Sequence, residues 1–380
     1  MKKYLALALA VVFALFCFGC SAPAATTEAP KTDAAASAAD AAVDFDSLTL
    51  DQLLEKSEGY VGTAGLPDYW TLWSDSFATI KEKYGIDRNV DPDLSSAEEL
   101  ALFIAEKDDP TMDLGDIGYA FTITAVEQDC VQPYTVDVWD KIPDWAKDPD
   151  HKWALSYTGS TAFIFNDAAI EGELPTTWKE LLEREDINLA FGNVIGGASS
   201  QVDMLAMNFA LGGTWDNIRP CIDKCIELAK AGRLDGGDAG ETDFETGQIV
   251  CGCGRFDFNG SNFAKDLNEK NIPGVHITYV IPQDGALSTG YALVLNKWAA
   301  HPYAARVALN YLFSDEGQID RARGGARPIR ADQIDIPDDC PILGDEYYTN
   351  IITPDSAAQL NAACEAISEA WENEVVPLMG

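Results

Sequence analysis

The stretch HITYVIPQDGALSTGYALVLN (276–296) decides the architecture. It reads as a strand, a Pro- and Gly-broken loop and a second long strand. An earlier stretch, KWALSYTGSTAFIFND (152–167), alternates well enough for one strand and is just as long. A strand rises about 3.3 Å per residue, so each run is long enough to leave one packed unit and enter another. The chain is therefore expected to leave a first domain near residue 157 and to re-enter it near residue 285. Residues 46–157 and 285–380 form one discontinuous unit, and residues 158–284 form the second.

Around these runs, helical patterns alternate with short strands, the signature of an α/β protein. Trp70, Trp73, Phe77, Ile80 and Tyr84 recur at helical spacing and stop at Gly85. Ser95-Ser96 opens an amphipathic helix over 95–106, with Glu98-Glu99 in its first turn. DLGDIGYAF (113–121) is a short strand running into a loop. PTTWKELLERED (175–186) is a helix capped by Thr176 or Thr177, and an apolar helical face resumes at Val202, Leu205, Ala206, Phe209 and Ala210. HPYAARVALNYLFSDEGQ (301–318) reads as one helix.

The N-terminal end carries an address. Two lysines precede a run of about fifteen almost wholly apolar residues ending in Gly19-Cys20, the layout of a secretory signal over 1–19. The run is short of the roughly 20 residues that span a bilayer. Gly19-Cys20 resembles the lipobox of bacterial lipoproteins, in which the cysteine is acylated; Cys17 departs from it, standing where leucine is usual. Cys20 is the expected lipidation site. Residues 20–45, rich in Ala, Thr, Ser, Pro and Asp, bury too little apolar surface to offset chain entropy and read as a flexible tether.

Sixty-two acidic side chains against 26 basic ones, a formal charge of −36, argue against a nucleic-acid partner and against docking on anionic lipid. They do not select a cationic ligand, because surface charge is screened over about 8 Å at physiological salt. Seven cysteines lie beyond Cys20: Cys130, Cys221, Cys225, Cys251, Cys253, Cys340 and Cys364. Their spacing fits no zinc template, and they read as buried thiols with a disulfide or two. No metal or cofactor is expected.

The ordered set SSAEELALFIAEKDDPTMDLGDIGYAF (95–121), YTGSTAFIFN (157–166), LPTTWKELLERED (174–186), NFALGGTWDNI (208–218), the 280–318 run and RGGARPIR (323–330) resembles the extracellular solute-binding proteins of ABC importers. The group includes binders of ferric iron, polyamines, thiamine and aminophosphonates. The resemblance implies a type II periplasmic-binding-protein fold, in which two lobes joined by a two-crossover hinge close over a small solute. It also implies a membrane permease as partner, action as a monomer and an extracytoplasmic place at the cell membrane, held through Cys20.

In such sheets, ligands sit beyond the C-terminal ends of strands, near helix N-termini. Candidate ligand-binding residues are Thr63, Ala64 and Gly65 in the first Gly-rich loop, Asp116 and Tyr119 after a short strand, Ser199 and Ser200 at a helix start, and Asp257 and Phe258 in RFDFNG (255–260). Tyr157 and Tyr291 on the crossovers complete the set. Gly65, Ser199 and Ser200 read equally as turn and cap residues, and Asp257 as a helix cap. Asp257, flanked by Phe256 and Phe258, equally reads as a carboxylate with an aromatic wall that suits an ammonium group, which makes an amine-bearing solute such as a polyamine the leading expectation, a phosphonate or other oxyanion the next. Ferric-iron binders of the group use adjacent tyrosines near this segment; the one adjacent pair here, Tyr347-Tyr348, lies further on. No catalytic residues are expected: three histidines are few for acid–base work, and GxSxG, HExxH and P-loop motifs are absent. A secreted hydrolase using two carboxylates is the remote alternative.

Overall fold

Two long antiparallel strands, Trp153–Asn166 and Ala286–Asn296, form the middle of the molecule. The structure is a computed structural model and describes residues 43–379. The 1–19 leader, Cys20 and nearly all of the 20–45 tether lie outside the described residues. The two strands run side by side from Ser288 opposite Ser160 to Val294 opposite Trp153, with a bulge between Tyr291 and Ala292. Both are buried on both faces almost throughout, which is why they read as nearly continuous apolar runs and not as strict alternation.

Each half of the sheet grows from one of them. Beyond Ala286–Asn296 lie Leu114–Gly118, antiparallel to it, and then Thr63–Ala64, parallel to Leu114–Gly118. Beyond Trp153–Asn166 lie Cys251–Phe256, then Leu189–Ala190 and Leu234–Asp235, these last three mutually parallel. Residues 153–160 of the first long strand pair with Ala286–Asn296, whereas its residues 161–165 pair with Cys251–Phe256. One strand thus belongs to both halves, and the α/β molecule has two lobes sharing their central strands.

The helices follow their local signals. Trp73–Tyr84 ends where Gly85 turns left-handed at φ 69°, the ordinary glycine stop. Ser96–Ala105 starts from a capping box in which Ser95 and Glu98 satisfy each other's backbone donors. Thr177 caps Trp178–Glu183 by accepting from Glu180 N at 3.1 Å.

The 301–318 run departs from expectation. It forms two helices, Pro302–Phe313 and Asp315–Arg323. Ser314 is extended between them and its hydroxyl accepts from Gly317 N at 3.2 Å. A serine hydroxyl competes for backbone donors better at a cap than inside a helix, so the break falls there.

The C-terminal part was not legible in the same way. Ile351–Ile352 adds a short parallel partner to Ala286–Leu287. The helix Ala357–Ala370 then packs on both Ala198–Ala210 and Phe121–Glu127, so it touches elements of the two lobes at once. The seven cysteines are all unpaired; six are buried and Cys340 is half-buried.

Candidate functional site

Gly65 follows the strand Thr63–Ala64 in a left-handed conformation, φ +73°, which glycine adopts without strain. A Cβ at that position would lie 2.0 Å from Oε1 of Glu99. Glu99 is fully buried on the inner stripe of Ser96–Ala105, beside Leu100 and Phe103. Its Oε2 accepts from Asp116 N at 3.0 Å. The glycine loop therefore lies directly over a buried carboxylate, and that carboxylate holds the backbone of the next strand.

From Asp116 a hydrogen-bonded chain crosses to the shared strands. The Tyr157 hydroxyl donates to Asp116 Oδ2 at 2.6 Å, and the Trp70 indole N–H donates to the Tyr157 oxygen at 2.7 Å. Asp116 Oδ1 is buried with no hydrogen bond of ordinary geometry, although the Trp73 indole N–H lies close enough to favour its charged form. Aromatic rings wall the group. Tyr157 and Tyr291 stack at 5.6 Å with planes 8° apart. The Trp70 ring meets Phe258 edge-on at 5.2 Å and Tyr291 at 5.5 Å. Phe256 stacks on Phe258 at 5.5 Å.

Burial dominates the electrostatics. It pushes the Asp116 carboxyl up to about 8, against the Tyr157 hydroxyl and the Arg321 charge, which pull it down. Glu99 is raised well above the carboxylate range by burial and by the neighbouring Asp116 charge. Asp91, which accepts from Leu66 N at 3.0 Å, is raised by burial too. Arg321 is buried, with its guanidinium 3.5 Å from the Trp73 ring centre, and burial lowers it to about 10. Two buried carboxyls, Asp116 and Glu99, thus share a dry place with the half-buried Asp91 nearby, and the buried Arg321 is one cation acting on Asp116. Chemically, the arrangement suits an incoming positive charge with an apolar body.

The second lobe brings its own elements to this place. Ala198, at the start of the helix Ala198–Ala210, abuts Gly118 so closely that a Cβ on Gly118 would lie 2.2 Å from the Ala198 Cβ. The Ser199 hydroxyl hydrogen-bonds Tyr291. Asp257 opens the helix Asp257–Lys270. Its Oδ1 accepts from Ser160 N at 3.2 Å and from Phe258 N at 2.9 Å, and its Oδ2 accepts from the Tyr348 hydroxyl at 2.7 Å. Burial raises Asp257 to about 6, and these donors hold it from going higher.

Of the residues singled out from sequence, Gly65, Asp116, Tyr157, Tyr291, Ser199 and Phe258 converge through these contacts. Asp257 stands beside them with its carboxylate turned to Ser160 and Tyr348. Thr63 and Ala64 are buried in their strand, the Thr63 hydroxyl donating to Asn89 Oδ1 at 3.1 Å. Ser200 faces the backbone of Gly192 and Gly254. Tyr119 turns instead to Trp153, at 5.6 Å, and donates to the Trp145 carbonyl at 3.2 Å.

Glu99, Arg321 and Tyr348 were missed. Glu99 was findable, since a carboxylate stands in the apolar stripe of its helix. Arg321 and Tyr348 carry no local sign of their role. Trp70 and Trp73, whose spacing reads as core or as part of an aromatic wall, are both buried in the core, and the Trp70 ring touches Phe258 and Tyr291.

Comparison with solved structures gives the same fold. AfuA from Actinobacillus pleuropneumoniae, a periplasmic binding protein with fructose-6-phosphate bound, is 16% identical with a TM-score of 0.65, covering 83% of this chain and 98% of its own. Iron-bound HitA from Pseudomonas aeruginosa is 15% identical with a TM-score of 0.63, covering 82% and 98%. PotD of a Streptococcus pneumoniae spermidine/putrescine ABC transporter is 14% identical with a TM-score of 0.56, covering 81% and 99%. These likenesses make the fold the two-lobed periplasmic-binding-protein type. Comparison with curated proteins by sequence finds no match. Residues 109–344, which hold both long strands and most of the converging side chains, match the family described as bacterial extracellular solute-binding protein. By that match over more than half its length, the chain is a member of the bacterial extracellular solute-binding proteins.

Proposed function

We propose that this protein is the substrate-binding component of an ABC importer and that it holds an amine-bearing organic solute between its lobes, with Asp116 as the anchor for the ammonium group. The observation that carries this reading is the Asp116 carboxyl: buried, with Oδ1 making no hydrogen bond of ordinary geometry beyond the nearby Trp73 indole N–H, and walled by Trp70, Tyr157, Tyr291 and Phe258. Glu99, whose Oε2 accepts from Asp116 N, and Asp91, which accepts from Leu66 N, place two further carboxyls behind it. An ammonium arriving at Oδ1 would supply a charge-assisted hydrogen bond that the Trp73 indole N–H does not make in full, and the aromatic faces would cover its carbon chain. Residues 46–157 with 285–380 act as one lobe and 158–284 as the other. Asp257 stands beside the site, and Thr63, Ala64, Tyr119 and Ser200 support the strands and helix starts that form it. The lipid-bearing Cys20 and its tether keep the receptor, as a monomer, beside its permease. Its work is capture and delivery, without catalysis.

A second reading, an oxyanion or phosphonate solute, is favoured by the start of the helix Ala198–Ala210. That terminus has no side-chain cap, and its free N–H groups and dipole attract negative charge.

Thermal shifts of residues 21–380 against putrescine, spermidine, thiamine, aminoethylphosphonate, simple oxyanions and ferric citrate separate these readings. A folded-state binder at a hundredfold excess over Kd adds about 2.7 kcal/mol. Amines are expected to raise the melting temperature, and D116N is expected to weaken them by roughly 30-fold, the ~2 kcal/mol of a hydrogen bond to a charged group. A shift with oxyanions or ferric citrate alone, or an unchanged amine affinity in D116N, would reject Asp116 as the anchor.

A further inference from the structure

Trp70 fills the middle of the aromatic cluster, yet the turn that presents it is built against the preferences of the backbone. Thr71 (φ 49°, ψ 29°) and Leu72 (φ 54°, ψ 48°) are consecutive left-handed residues, and neither is glycine. Each such residue is disfavoured by about fivefold or more, because Cβ crowds the following carbonyl. Non-glycine residues in this conformation persist only where the surroundings over-determine them, and they gather at clamps and switches.

The surroundings here are specific. Arg321 Nη1 donates to Thr71 Oγ1 at 2.6 Å, its Nη2 hydrogen-bonds Ser76, and its plane covers the Trp73 ring. Gly324 presses on the same turn, so that a Cβ there would lie 2.3 Å from the Thr71 carbonyl carbon. What this scaffold holds in place is the indole: it donates to Tyr157, which donates to Asp116, and its edge lies on Phe258 and Tyr291. Trp70 is 9% exposed, so one edge borders solvent while the rest occupies ground beside Asp116.

We infer that Trp70 is a displaceable plug, occupying the interlobe site when it is empty and withdrawing on the Thr71–Leu72 turn as a solute enters. The inference rests on Asp116 as the anchor. Withdrawal breaks the Trp70–Tyr157 hydrogen bond and frees Thr71 and Leu72 to relax toward right-handed conformations, which offsets part of the lost ring contact. The plug also sets specificity: the solute that replaces it is a cation whose apolar body is no larger than an indole.

The test uses residues 21–380 labelled with 5-fluorotryptophan, with the Trp70 signal assigned by its loss in W70F. Fluorine NMR is expected to show Trp70 exchanging between two environments. L72G, which removes the Cβ penalty, is expected to shift the population toward the plugged signal and to weaken spermidine and putrescine by about fivefold. W70F, with a smaller ring and no N–H, is expected to tighten both amines. A single sharp Trp70 signal that L72G leaves alone would overturn the plug. So would weakened amine binding in W70F, which marks a fixed wall. An exchanging Trp70 whose populations no amine alters would uphold the plug and reject the amine reading of Asp116.

Discussion

Asp116 is held in its neutral form by burial, and this has two measurable consequences. Its carboxyl is raised to about 8 in the folded protein, whereas in the unfolded chain it titrates near the ordinary ~3.9. Between those values the folded state binds the extra proton, so stability falls as pH rises. Asp203, raised to about 7, and Asp257, raised to about 6, act in the same direction, both through burial. The melting temperature is therefore expected to decline from pH 5 to pH 8, and less steeply in D116N; a wild-type melt that rises over that range would contradict the neutral-carboxyl description. An ammonium that pairs with Asp116 must also expel its proton. Amine affinity is thus expected to increase from pH 6 to pH 8, with calorimetric heats at pH 7 that depend on the buffer's ionisation enthalpy. Heats independent of buffer would mean that the solute meets no protonated carboxyl.

At the scale of elements, local chemistry explains what could be read in advance. The caps at Ser95 and Thr177 and the stop at Gly85 are short-range devices, each legible within four residues of the helix they end. The long strands were legible because an apolar run of their length has few other uses. Ser314 shows the limit: 314–318 (SDEGQ) carries no apolar residue to extend or end the face of 301–313, and the helix break depends on a hydroxyl that also reads as a tolerable interior serine. The site was legible in part for a related reason. Asp116, Tyr157 and Tyr291 lie on strands whose place in the sheet follows from the pattern. Tyr348 lies 91 residues from the Asp257 carboxylate it serves, and only the tertiary fold joins them.

The segment bearing Tyr348 ties the C-terminal part to the second lobe. Y348F removes one donor from a buried carboxylate, which is expected to destabilise the fold by about 1–3 kcal/mol in urea unfolding, with little change in the slope. A loss below about 0.5 kcal/mol, the range of ordinary surface changes, would mean that water replaces the hydroxyl and that the segment is held by its other contacts.

For the whole molecule, the shared strands Trp153–Asn166 and Ala286–Asn296 carry the continuity between lobes, while Trp70, Phe258, Ala198 and Gly118 meet across the gap. The C-terminal helix Ala357–Ala370 adds a third tie through its packing on both lobes. The proposed opening of the lobes would bend two strands and slide one helix, the geometry of a hinge. A ligand shifts such an equilibrium only by its differential affinity for the two states. Small-angle scattering is expected to give a smaller radius of gyration with a bound amine than without; an unchanged radius would count against hinge closure.

The most direct measurement is a crystal structure of residues 21–380 with the panel amine that gives the largest thermal shift. The account predicts the amine between the lobes, its nitrogen within hydrogen-bond distance of Asp116 Oδ1 and its carbon chain against Tyr157, Tyr291 and Phe258, with Trp70 moved aside. An amine bound outside the interlobe site, or one whose nitrogen meets Asp257 while Asp116 Oδ1 stays unpartnered, would contradict it.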